Sequence, residues 1–245
     1  MRYDDYVVKH MTNNPLVSEQ GRWLLDHPSP AVPRVYAVYV NSHYTMERLA
    51  EPPIALLDHE RVARVMIDTL VTHIWSQPGA VPINHDMLQE KLERLSSSYH
   101  GFSSLWTWIV KTHAQVRWSD VPRCLTHGDP TFDNVMIREE TGELVFVDPL
   151  PASLVAPDMR CVDIGKILQS VLGWERIRYG SERFSLRASV TDLAGVLRTT
   201  LRVSENEWRA SVFWCVVHLL RTLPYVTDDV RVGVRELVNR AVALS

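Results

Sequence analysis

Leu125-Thr126-His127-Gly128-Asp129-Pro130-Thr131-Phe132-Asp133-Asn134 is a polar, turn-forming cluster, and the rest of the chain is organised around it. The residues after it have the period of strands. Asn134-Val135-Met136-Ile137, a turn at Thr141-Gly142 and Leu144-Val145-Phe146-Val147 form the pattern of a β-hairpin, with Asp148 at the end of its second strand. On both sides the apolar spacing is helical. Upstream, Val62, Val65, Met66, Leu70 and Ile74 predict one helix. Leu88, Leu92 and Leu95, with Asn84 as cap, predict a second, and Leu105, Trp106, Ile109 and Val110 a third. Downstream, Ser204-Glu205-Asn206-Glu207 has the form of a capping box before a helix carrying Val212, Val216 and Leu219. Residues 1–53 differ. Tyr6 to Lys9, Val35 to Val40 and His43 to Leu49 read as strands, and a helix starting at Asn14-Pro15 runs through Glu19 and Trp23 to about Leu25. Glu51-Pro52-Pro53 reads as a linker.

The bulk properties exclude several classes. The 245 residues are 46% hydrophobic and 22% charged, which describes a soluble globular chain of one large domain or two unequal lobes. With 26 basic and 29 acidic side chains the net charge is −3, too low for a protein that works through a strongly basic surface, so nucleic acid is not the expected partner. Cys124, Cys161 and Cys215 stand far apart without a CxxC, which suggests neither a disulfide framework nor a zinc site and fits a cytoplasmic setting. His10, His27, His59, His73 and His85 lack metal-ligand spacing. The N-terminus has no apolar core of a secretory signal, and the most apolar stretch, Ala210 to Leu220, is too short to span a bilayer. No membrane role is expected.

Taken singly, Asp129 and Asn134 are residues that turns favour, and Asp148 is a common strand-end residue. Together they match the needs of phosphoryl transfer from a magnesium nucleotide. That reaction uses a carboxylate to accept the proton of an attacking hydroxyl, and nearby oxygen ligands for the metal. Asp129 suits the first role. Asn134, and Asp148 returned to the same end by the hairpin, suit the second.

His127-Gly-Asp129-xxxx-Asn134 followed by Asp148 resembles the catalytic core of the aminoglycoside phosphotransferase and choline kinase family, relatives of protein kinases. Pro157-Asp158 through Asp163-Ile164-Gly165-Lys166-Ile167 is similar to the family's helix opening after the metal carboxylate. The resemblance implies an α+β, protein-kinase-like two-lobed fold. A truncated, β-rich N-terminal lobe over residues 1–50 would hold nucleotide, and a larger helical lobe with an embedded hairpin over 51–245 would carry the catalytic loop and the acceptor side. It implies catalytic roles for His127, Asp129 and Asp163, the last buttressing the loop through hydrogen bonds, and metal ligation by Asn134 and Asp148. Lys9 takes the place of the lysine that holds the nucleotide phosphates, and Glu19 that of its helix partner. Met46, Glu47 and Leu49 resemble the hinge that receives the base. Magnesium and ATP or GTP are the implied cofactors.

One departure is large. Such kinases close a glycine-rich turn over the phosphates ahead of the lysine strand, whereas the first of only 10 glycines here is Gly21. The expectation is an open phosphate site, covered by a partner chain, by a second copy or by another part of this chain. The alternative is a catalytically weak or inactive kinase-like nucleotide-binding protein acting through a partner. Charge gives a clue to the acceptor. Residues 1–150 hold 13 basic and 19 acidic side chains, residues 151–245 hold 13 and 10, with Arg176, Arg178, Arg183 and Arg187 clustered. That balance argues against a polycationic acceptor and for a small hydroxyl compound that is sugar-like or anionic.

Overall fold

The computed structural model describes residues 6–10, 15–39, 42–50, 59–97, 103–153, 156–180 and 190–245. Strands β1 (Tyr6–His10), β2 (Val35–Tyr39) and β3 (His43–Glu47) form an antiparallel sheet in the order β1-β3-β2, with helix α1 (Pro15–Asp26) between β1 and β2 in the chain. β3 is therefore central, and Tyr44 and Met46 on it are buried. α1 lays Val17, Gly21 and Leu24 against the sheet. Asn14, Val40, Glu51-Pro52-Pro53, Arg183 and Arg187 lie outside the described residues.

Helices follow: α2 (His59–His73), α3 (His85–Ser97) and α4 (Ser103–Gln115) precede the polar cluster. The Asn84 carboxamide accepts from the Met87 N–H at 3.0 Å, which is the expected cap. The hairpin pairs β4 (Val135–Ile137) with β5 (Leu144–Phe146), and Gly142 turns it at φ 72°. Then come α5 (Arg160–Val171), α6 (Trp174–Tyr179), α7 (Val190–Leu201), α8 (Glu205–Thr222) and α9 (Asp228–Val242).

The core of the helical part is α8 against α5. Nearly every α8 side chain from Asn206 to Leu220 is buried, the signature of a helix surrounded by protein on all sides. This is the apolar stretch of the sequence, and among the described residues no helix is long and apolar enough to cross a membrane. Gly165 sets the approach of the two helices: a Cβ there would lie 2.8 Å from the Cys215 nitrogen and from the Trp214 Cβ. Ser204 caps α8 by accepting from the Glu207 N–H at 3.1 Å. Glu207 does not turn back to complete a capping box. Its buried carboxylate takes both arms of Arg160, at 2.6 and 2.7 Å, and so joins α8 to the start of α5.

Sheet and hairpin are joined at Ala50, which pairs with Ile137 through two backbone hydrogen bonds. Arg138, next in the chain, is buried and fully partnered. It donates to Glu47 at 2.7 and 3.3 Å, to Glu143 at 3.0 Å, and to the carbonyls of Pro30 and Val32. A buried guanidinium is tolerated only with such complete satisfaction. The end of β3 is thereby fixed over the hairpin that carries the candidate site.

Candidate active site

Two buried carboxylates hold the backbone that leads to Asp129. Asp158 accepts from the N–H groups of Ala80, Val81 and Thr126 and from the Thr126 hydroxyl, at 3.0 to 3.2 Å. Asp163, fully buried on the first turn of α5, accepts from His127 N at 3.0 Å, Gly128 N at 2.7 Å and Trp75 Nε1 at 2.8 Å. Burial raises its pKa to about 6 against the lowering effect of those three donors. Gly128 has φ +77°, a conformation that favours glycine, and packs against the returning segment so closely that a Cβ would sit 1.9 Å from the Leu150 carbonyl oxygen. The Leu150 N–H donates to the His127 carbonyl at 2.8 Å. Asp129 thus leaves a backbone clamped on both sides.

A tight turn explains the spacing to Asn134. Thr131 N donates to Asp129 O, Asn134 N to Thr131 O, and the buried Phe132 anchors the turn with its N–H on Ser170 Oγ. The Asn134 side-chain nitrogen then reaches Asp129 at both its carbonyl (2.9 Å) and its carboxylate (3.0 Å). This orientation turns the Asn134 amide oxygen away from Asp129 and leaves it for another partner. The hairpin returns beside it, with Val147 N on Asn134 O at 2.9 Å. Asp148 follows at φ +56°, a left-handed backbone that a non-glycine residue holds at a cost of about 1 kcal/mol or more. Its carboxylate receives Lys9 Nζ at 2.6 Å. The buried Tyr44 phenol also faces it; burial first and the Asp148 charge second push the phenol's pKa far above its ordinary value.

The structure therefore pairs Asn134 with Asp129 and Lys9 with Asp148, and the Val147–Asn134 backbone bond sets the two pairs side by side. His127 lies beneath them: it is fully buried between Trp23 and Phe146, and burial lowers its pKa to about 4. Of the residues expected to be catalytic, His127 and Asp163 are thus fully buried, Asp163 beneath the loop backbone from which it accepts, and Asp129 alone lines a cavity. The expected Lys9–Glu19 pair is not formed. Glu19 is exposed on α1, because the stripe Val17, Gly21, Leu24 faces the sheet, and Lys9 turns to Asp148 instead. Of the expected hinge, Met46 is buried, and Glu47 spends its carboxylate on Arg138 and its N–H on the Arg34 carbonyl. Arg48 and Leu49 are left to offer backbone groups.

Lys166 was not among the expected residues. It sits on α5 one turn after Asp163, hence on the same face, and its ammonium lies 2.9 Å from Asp129 Oδ1 with only 11% of the side chain exposed. Arg178 from α6 lies 3.7 Å from Asp133. Asp129, Thr131, Asn134 and Lys166 line a small cavity of about 130 Å³. A larger one, about 440 Å³, shares Lys166, Trp174, Arg178 and Thr222 with it and extends along α3 and α8.

No protein-family model and no curated protein matches the sequence. Solved structures do match the fold. An ethanolamine kinase from Plasmodium vivax is 12% identical with a TM-score of 0.57, over 98% of this chain and 77% of that one. A choline kinase from Streptococcus pneumoniae is 12% identical with a TM-score of 0.59, over 100% of this chain and 89% of that one. The sheet order, the hairpin and the helical core thus assemble into the α+β, protein-kinase-like fold that these two kinases share.

Proposed function

We propose that this chain is a phosphotransferase that moves the γ-phosphoryl group of a magnesium nucleotide, ATP or GTP, to a hydroxyl of a small molecule. The observation that carries the reading is that the Asn134–Asp129 pair and the Lys9–Asp148 pair, drawn from three separate segments, are set side by side by the Val147–Asn134 backbone bond. Asp129, hydrogen-bonded and clamped, is the base that takes the hydroxyl proton. Lys9 pairs with Asp148 when no nucleotide is bound and turns to the nucleotide phosphates when one is. Asn134 and Asp148 offer two hard oxygen donors, a sparse set that suits magnesium, which keeps several waters and takes only one or two carboxylates. Bound there, the ion neutralises phosphate charge. Lys166 holds the Asp129 carboxylate and adds positive charge on the acceptor side. The structural neighbours are named for choline and ethanolamine, which are cations; the basic cavity here favours a sugar-like or anionic acceptor.

Equilibrium binding of ATP and GTP with and without magnesium, on the wild type and on Asp148→Ala, tests the reading, followed by turnover against hydroxyl compounds. Magnesium-dependent binding that Asp148→Ala abolishes, together with transfer to an acceptor, is the expected result. Unchanged binding in that variant refutes the metal role. Binding without transfer to any hydroxyl supports instead a kinase-like nucleotide-binding protein.

A further inference from the structure

Lys91 on α3, Lys166 on α5, Arg178 on α6 and Arg221 at the end of α8 all face the 440 Å³ cavity beside Asp129. Two of these cations are matched: Lys166 by Asp129 and Arg178 by Asp133. Lys91 and Arg221 have no hydrogen bond or ion pair among the described residues, and each is partly buried. Their mutual influence is repulsive. Burial, Arg221 and then Arg94 lower the Lys91 pKa to about 8, so it stays largely charged near neutral pH. Burial lowers Arg221 as well, against the smaller raising effects of the Asp129 and Tyr225 charges. His218, buried at the cavity wall, is kept neutral by burial and by Lys166 and Arg221, and adds no further positive charge. Two half-buried cations with no carboxylate in ion-pair contact are held at an energetic cost that a bound anion reduces. A guanidinium fork beside an ammonium fits the several oxygens and double charge of a phosphate monoester better than a single carboxylate.

We infer that the hydroxyl acceptor is itself a phosphate monoester, anchored through its phosphate by Lys91 and Arg221 with its hydroxyl presented to Asp129. This rests on the phosphotransferase reading above. In the transfer, the bond between the γ-phosphorus and the β,γ-bridging oxygen breaks and one to the acceptor oxygen forms. The hydroxyl proton passes to Asp129, and the products are a nucleoside diphosphate and a bisphosphate. Lys166, Trp174, Arg178 and Thr222 line both cavities, so the anchor adjoins the reaction centre.

Calorimetric titration of inorganic phosphate into the full chain saturated with magnesium ADP tests the anchor. The wild type binds phosphate in the presence of the nucleotide. Lys91→Gln/Arg221→Gln weakens that binding roughly tenfold or more, from the loss of two charged contacts, while Arg221→Lys, which keeps the charge and loses the fork, weakens it less. Melting curves confirm that the variants fold. In turnover with magnesium ATP, glycerol 3-phosphate and ribose 5-phosphate surpass glycerol and ribose, and the double variant erases the difference through the acceptor KM with the nucleotide KM unchanged. Phosphate displaced by magnesium ADP, or bound equally by the double variant, overturns the inference. Transfer confined to neutral or cationic acceptors, with phosphate binding indifferent to both substitutions, also overturns it and leaves the phosphotransferase reading standing. Phosphate binding that depends on Lys91 and Arg221 without transfer to any hydroxyl keeps the anion site and sinks the phosphotransferase reading.

Discussion

Replacing Gly128 by alanine puts a single methyl group where the candidate site has no room for one. The residue stands at φ +77°, and its new Cβ falls 1.9 Å from the Leu150 carbonyl oxygen, far inside any real contact. A left-handed alanine costs about 1 kcal/mol on its own. Relief of the clash requires the loop and the Asp148–Leu150 segment to part. That strains the 2.8 Å bond from Leu150 N to His127 O and the 2.7 Å bond from Gly128 N to the buried Asp163 carboxylate. A neutral bond contributes about 1 kcal/mol and one to a charged group about 1.5–3 kcal/mol. The expected destabilisation is therefore about 3–5 kcal/mol, which for a chain of this size lowers the melting temperature by roughly 6–20 °C. Differential scanning calorimetry reads it directly, and magnesium-nucleotide turnover reads the displacement of Asp129 and Asp148. Gly128→Ala that melts within about 1 kcal/mol of wild type and keeps its turnover refutes the clamped-loop geometry.

Asp163→Asn leaves an amide where one oxygen now receives a donor, so at least one buried N–H of His127, Gly128 or Trp75 loses its acceptor; turnover should fall roughly tenfold or more with nucleotide binding kept, and unchanged turnover contradicts a positioning role. Glu175 is buried beside Ser170, and burial raises its pKa from 4.5 to about 7. Its contribution to stability is full below about pH 4.5 and lost as pH rises through 7, so Glu175→Gln should gain about 3 kcal/mol relative to wild type across that window in denaturant titrations, and a pH-independent difference refutes the burial argument. Lys166→Met removes the cation on Asp129; acceptor turnover should drop roughly ten- to hundredfold while the nucleotide dissociation constant holds, and an unaltered rate assigns Lys166 to packing alone.

The parts of the site that local chemistry dictates were legible in the sequence. The turn from Asp129 to Asn134, the hairpin and the placement of Asp148 follow from residue types a few positions apart, as do the caps at Asn84 and Ser204. Pairings across the fold were not. Nothing near Glu47 announces Arg138, 91 residues away, and nothing near Glu207 announces Arg160. At Glu19 and at Lys166 the sequence carries a usable signal. The helical stripe Val17, Gly21, Leu24 already puts Glu19 on the outer face of α1, and Lys166, one turn from Asp163, had to share the face that meets the catalytic loop. The place of His127 is a different case. The motif names it, but its burial between Trp23 and Phe146 depends on residues far away in the chain.

The proposed function stands or falls on Asp129 being the base of a phosphoryl transfer and not a turn residue. The decisive experiment is mass-spectrometric detection of phosphorylated acceptor, with wild type and Asp129→Asn run on magnesium ATP and a hydroxyl-compound panel. The expected outcome is transfer by the wild type, a loss of roughly 10²–10⁴-fold in the variant, and the same nucleotide affinity in both. Turnover undiminished in Asp129→Asn, or loss of folding and nucleotide binding in step with activity, contradicts it.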